Sequence, residues 1–180
     1  HPPTDEVQIF ENSSWSCPHG VERWRSDCGC RIGAHPKWSQ AWRLPLREAL
    51  DGLRDGAALL FEKKAGKYIK DPWNARNEYV RVILDRSEAR KERFLSEHVV
   101  RELSAQEKVT VFKYLELERY TMLMYTSCAW FFDELSGIET VQILQYAGRA
   151  VQLAEELSGK SFQSHFLDRL VKAKSNIEEH

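Results

Sequence analysis

The chain has almost no net charge, no long apolar run and no internal repeat. Its 180 residues carry 26 basic and 27 acidic side chains, for a formal net charge of −1. That balance excludes a dedicated nucleic-acid binder, which needs a basic excess to neutralise phosphates. No stretch approaches the roughly 20 apolar residues that cross a bilayer. No basic segment followed by an apolar one opens the chain as a secretion signal would. A cytoplasmic protein without membrane or nucleic-acid partners is therefore expected, and disulfides are not expected. The first residue is His1 rather than Met, which suggests a processed chain or a piece of a longer one. Low-complexity tracts are absent, and 42% of residues are hydrophobic, so a packed core is expected. A chain of this length suits one domain.

What is present is unevenly spread. Four of the six Trp (Trp15, Trp24, Trp38, Trp42) and three of the four Cys (Cys17, Cys28, Cys30) precede Pro45. Glu6–Phe10 alternates apolar and polar residues like a short strand. No period is sustained from Glu11 to Pro45, yet disordered segments are poor in aromatics. Residues 1–40 therefore read as an ordered, irregular arm pinned by Trp side chains, and 41–180 as the helical remainder of a single domain.

After Pro45 the apolar residues fall at helical spacing. Leu46, Leu50, Leu53, Ala57, Leu60 and Phe61 predict a helix from about Trp42 to Ala65, stopped at Gly66. Asp71-Pro72 predicts the next start, N-cap followed by proline, with a helix running to about Asp85. A charged helix follows over Ser87–His98. Ser104 with Glu107 forms a capping-box pattern opening the longest helix, to about Glu134. Ser136 with Glu139 repeats that pattern before a helix ending at Gly159, and a last helix starts at Ser161. The expected fold is all-α, a bundle of five or six helices with a Cys/Trp-rich arm that includes one short strand.

The arm carries chemistry. Cys17-Pro-His19 and Cys28-Gly-Cys30 place four soft or borderline ligands within fourteen positions, the donor types of a Cys₃His zinc site. Gly29, lacking a Cβ, lets the chain turn tightly enough for both flanking thiols to reach one ion. A Cys28–Cys30 disulfide would be strained. The C-x-H and C-x-C spacings differ from the usual C-x₂₋₄-C, so a bound metal and a set of buried or reactive thiols both stand. Cys128 would extend the set to four thiols (Cys17, Cys28, Cys30, Cys128), suited to zinc or an iron–sulfur cluster. Its plainer role is a small apolar filler inside a helix. A further reading has His19 or His35 activating Cys17 or Cys28 as a nucleophile.

A second informative stretch runs from Tyr125 to Glu139. Met122–Phe132 is apolar nearly all round, which predicts a central, buried helix. On such a helix Thr126, Trp130 and Asp133 share one face, and a polar, aromatic and acidic stripe can line a ligand pocket. Asp133 and Glu134 at a helix C-terminus oppose the macrodipole, so a cation, a metal, the next helix or a ligand hydroxyl must compensate them. The plainer alternative makes Trp130, Phe131 and Phe132 core residues and Asp133 a turn residue.

Ser13–Cys30 (SSWSCPHGVERWRSDCGC), Trp38–Asp55 (WSQAWRLPLREALDGLRD) and Tyr125–Ala154 resemble a bacterial family. It is the helical domain of unknown function found C-terminal to a glycoside hydrolase family 57-type barrel, in alpha-amylase/alpha-mannosidase-like proteins. The resemblance implies that the catalytic carboxylate pair lies on that N-terminal barrel, outside this chain, and that no residue here is catalytic. It implies that this domain packs on the barrel and helps wall a saccharide cleft. Trp15, His19, Trp24, Trp130, Asp133 and Glu134 are the substrate-contacting candidates it leaves, with Trp130–Asp133 resembling the family's bundle motif. The reading that competes with it is a structural or redox metal module built on Cys17, His19, Cys28, Cys30 and Cys128, holding zinc or, as the lesser alternative, an iron–sulfur cluster.

Overall fold

Local signals start most of the helices, and two apolar cores hold them. The structure is a computed structural model that describes residues 4–33 and 35–178. Among these, the helices are α1 (Arg43–Ala65), α2 (Pro72–Glu78), α3 (Val80–Leu84), α4 (Glu88–His98), α5 (Ala105–Leu123), α6 (Ile138–Ser158) and α7 (Gln163–Leu170). Two 3₁₀ turns, Glu22–Trp24 and Ser127–Trp130, complete the set. The protein is an all-α bundle with an irregular Cys-rich N-terminal region.

The caps act as their chemistry requires. Asp71 Oδ1 accepts from the Asn74 N–H ahead of Pro72. Ser104 accepts from the Glu107 N–H while Glu107 accepts from the Ser104 N–H. Gly159 closes α6 in the left-handed region, at φ 68°, where a side chain would be strained.

α1 and α5 run through both cores. Trp42, Leu46, Leu50, Leu53 and Ala57 pack with Leu117, Trp130, Ile143, Ala147 and Phe166 in the first. Phe61, Ala65, Val111, Tyr114 and Leu115 join Ile69, Tyr79, Val82 and Phe94 in the second. Burial of these apolar faces is the main force holding the bundle. One antiparallel bridge, Ile69 with Val99, ties the segment before α2 to the end of α4.

Four local expectations are corrected. Glu6–Phe10 is not a strand: Val7, Ile9 and Phe10 are exposed and unpaired, because alternation makes a strand only when a neighbouring edge takes its backbone groups. The helix expected over 71–85 is interrupted at Tyr79, giving α2 and α3. The longest helix stops at Leu123 instead of Glu134. There the Thr126 hydroxyl takes the Leu123 carbonyl, and the Trp24 indole N–H takes the Ser127 carbonyl. Thr126, Trp130 and Asp133 therefore do not form one helix face. The Ser136–Glu139 capping box does not form; Gly137 is the N-cap of α6, and the Ser136 N–H donates to Glu134. No helix is long and apolar enough to cross a membrane among the described residues.

Candidate metal centre

Two turns in the arm fold the ligand pairs toward each other. The Gly20 N–H donates to the Cys17 carbonyl, closing a turn around His19. Gly20 sits at φ 70°, and a Cβ there would lie 2.3 Å from the Asn12 carbonyl oxygen. The second turn is set by Asp27, whose carboxylate accepts from the Gly29 N–H, with Gly29 at φ 77°. Gly20→Ala must therefore both strain the backbone, at about 1–2 kcal/mol for a left-handed residue, and displace the Asn12 loop. A lower melting temperature and weaker metal retention are expected; a melt and a zinc content equal to the wild type's would contradict this use of Gly20.

The result is one tight donor group. Cys17 Sγ, His19 Nδ1, Cys28 Sγ and Cys30 Sγ all lie within 4.8 Å of one another. Cys17 Sγ is 3.7 Å from Cys28 Sγ and 3.9 Å from His19 Nδ1, and Cys30 Sγ is 3.5 Å from the same nitrogen. A tetrahedral zinc with bonds of about 2.3 Å to sulfur and 2.0–2.1 Å to nitrogen has edges of about 3.8 Å (S···S) and 3.6 Å (S···N). The three spacings given are close to those edges and the other three lie within 4.8 Å, so the residues present fit one zinc ion.

Electrostatics point the same way. Burial raises the Cys17 thiol, but hydrogen bonds from the backbone of Arg23 and His19, and from the Cys30 and His19 side chains, outweigh it and bring it down to about 7. Cys30 is pushed up to about 11, by burial and by its Cys17 and Cys28 neighbours. The Cys17 thiolate forms readily, while that of Cys30 needs a cation beside it. Two buried arginines frame the site. Arg23 lies over the Phe131 ring, 5.0 Å from its centroid. Arg43, fully buried, donates to the Cys30 carbonyl at 2.9 Å and to the Phe132 carbonyl at 3.4 Å. Burial lowers the Arg43 pKa, and Arg23 lowers it further, while Cys28 and Asp133 oppose that shift. Three thiolates, a neutral imidazole and a divalent ion sum to −1. With the Asp133 carboxylate they balance Arg23 and Arg43.

The other candidate residues have different placements. Cys128 is exposed on the second 3₁₀ turn; it is neither a core filler nor within the donor group. His35 stacks on Trp38 at 3.8 Å and is also outside the group. Trp15 is 93% exposed, with its ring 6.0 Å from that of Phe131. Trp24 is half-buried and clamps the arm, its indole N–H to the Ser127 carbonyl and its own carbonyl to Arg47. Trp130 is a core residue at 1% exposure, stacked on Tyr125. Asp133 and Glu134 are buried and spent on internal donors. Asp133 takes the N–H groups of Ile32 and Gly33 at 2.9–3.0 Å. Glu134 takes Ser136, Ser175 and Asn176. These donors, rather than a ligand, supply the compensation that their position demands.

Arg23 and Arg43 were not singled out from the sequence. The available signal was Arg43 itself, a cation between Trp42 and the apolar stripe of α1.

Fold and site together define an all-α protein whose irregular N-terminal arm carries a Cys₃His donor group that could hold a metal ion. Residues 38–180 match the family described as a domain of unknown function, DUF3536, and the chain belongs to that family. The donor group, at 17–30, precedes the matched stretch. No curated protein and no solved structure matches the chain.

Proposed function

We propose that this chain is a structural metal module in which zinc at Cys17, His19, Cys28 and Cys30 cross-links the two turns of the arm and so holds the shape that Arg43, Arg47 and Asp133 dock on the bundle. The convergence of the four donor atoms within 4.8 Å, three of their separations near tetrahedral zinc edges, carries this reading. Four protein ligands leave no position for a substrate or water, which suits a structural ion rather than a hydrolytic one. Three thiols and one imidazole at single-ion spacing favour zinc over an iron–sulfur cluster, which is ordinarily held by four thiolates. Protein purified without chelator is expected to hold one zinc per chain by elemental analysis. Absence of both zinc and iron at stoichiometric level would sink the proposal, and a brown, visibly absorbing protein would replace zinc with iron.

A second reading rests on the exposed ring of Trp15, which continues through Phe131 to Phe132, with centroid separations of 6.0 and 5.4 Å. The exposed Trp15 face suits the apolar face of a sugar. Together with the resemblance described above, it supports an accessory role: packing on a catalytic barrel and walling its saccharide cleft, with no turnover by this chain alone. In the barrel-containing protein, Trp15→Ala is expected to weaken binding of maltooligosaccharides or mannooligosaccharides several-fold. Unchanged affinity would remove Trp15 from the cleft, and glycosidase turnover by the isolated chain would refute the accessory role.

A further inference from the structure

Away from the metal centre, a pocket of about 260 Å³ opens between α1, α2 and α5. Its floor holds Glu118, only 3% exposed. No described residue hydrogen-bonds the Glu118 carboxyl; its Oε1 is sealed, which leaves Oε2 as the oxygen that can meet a ligand. A buried acid without a partner costs free energy unless something meets it. Arg76, on the same pocket wall, makes no ion pair among the described residues. Its Nε and Nη2 reach only the Asn77 amide oxygen, and its guanidinium lies over the Trp73 ring at 5.0 Å. The remaining cations of the lining, Arg47 and Arg54, are held by Asp51, and Arg54 also by Asp55. Trp73, Met122 and Tyr125 supply apolar and aromatic surface.

Among the described residues, neither Glu118 nor Arg76 has a contact partner of opposite charge: Arg76 favours the Glu118 carboxylate only across a gap, without an ion pair or a hydrogen bond. A simple anion would meet Arg76 and leave Glu118 orphaned. A simple cation would meet Glu118 and leave Arg76 unpaired. A neutral hydroxylated ligand would leave Arg76 without an ion pair. Only a molecule carrying both signs a few bonds apart satisfies both, and the volume, at or just below the small end of ligand pockets, limits its size. We infer that this pocket binds a free α-amino acid with a large apolar or aromatic side chain: carboxylate on Arg76, ammonium on Glu118, side chain along Trp73 and Met122. The inference is independent of the metal centre.

The test is calorimetric titration of the whole chain with L-phenylalanine, L-leucine and L-tryptophan, with phenethylamine and 3-phenylpropanoate as single-charge controls. At least one amino acid is expected to bind in the micromolar to low-millimolar range, with both controls at least tenfold weaker than phenylalanine. Glu118→Gln and Arg76→Gln should each weaken binding at least tenfold. Arg76 is at the pocket wall, so its variant serves even if a floor substitution perturbs folding. No binding by any of the three amino acids, or equal binding of either control, would overturn the inference and leave the pocket a hydrated structural cavity.

Discussion

Cys17→Ser is expected to lower zinc affinity by more than 100-fold and to release the arm while the helices stay formed. Cys17 is the buried member of the donor group, and its thiol is brought down to about 7. Even supporting residues around a metal commonly affect affinity by about 10–100-fold, and a lost ligand exceeds that. Structural zinc contributes roughly 10–16 kcal/mol of apparent binding energy where it alone drives folding. Here the bundle has two apolar cores of its own, so the loss should stay local. Amides of residues 17–33 should lose hydrogen-exchange protection, whereas those of α1, α5 and α6 keep theirs. Chelation of the wild type should reproduce the pattern, and acid should favour release, since the thiolates must be reprotonated. Global unfolding of the variant, or an unchanged exchange pattern, would contradict the division between pinned arm and self-supporting bundle.

Glu118→Gln should stabilise the ligand-free protein at alkaline pH by as much as about 3 kcal/mol, an effect absent near pH 4. Burial pushes the Glu118 carboxyl up to about 7 from its ordinary 4.5, and Arg76 offsets only part of that. The raised value means that the folded chain keeps the Glu118 proton over a range where the unfolded chain has lost it. Stability linked to this group is therefore fully present below about 4.5, falls as pH rises, and is lost once pH passes about 7. Glutamine does not titrate, so the gap between variant and wild type should open across that window. Its neutral amide occupies nearly the same volume, which isolates charge from packing. For a domain of this size, about 3 kcal/mol corresponds to roughly 6–12 °C in melting temperature. Melts that differ equally at pH 4 and pH 8 would show that the carboxyl does not remain protonated in the fold.

The legible parts of the chain are those governed by neighbours in sequence. The α1 stripe needs only three- and four-residue spacing. Asp71-Pro72 and the Ser104–Glu107 box act within one turn. The types of the four metal donors were equally visible, along with the need for glycine between Cys28 and Cys30. Legibility failed where a distant partner competed with local propensity. Ser136 and Glu139 have the residue types of a capping box, but Glu134 takes the Ser136 N–H. Asp133 reads as a ligand contact from its position after Trp130, yet Ile32 and Gly33, some hundred residues earlier, fill its carboxylate.

By itself, then, the amino-acid sequence determined the helical class, most helix starts and the donor chemistry of the arm, because backbone capping and apolar periodicity act over a few residues. Only the tertiary structure decided that Cys17, His19, Cys28 and Cys30 converge while Cys128 stays outside. It alone ended α5 at Leu123, where Trp24 and Thr126 take carbonyls near the break. It alone surrounded the thiols with Arg23, Arg43 and Asp133, and left Glu118 without a partner. These outcomes depend on burial and charge meeting across the fold, where the low dielectric makes each unpaired polar group costly and each matched one specific.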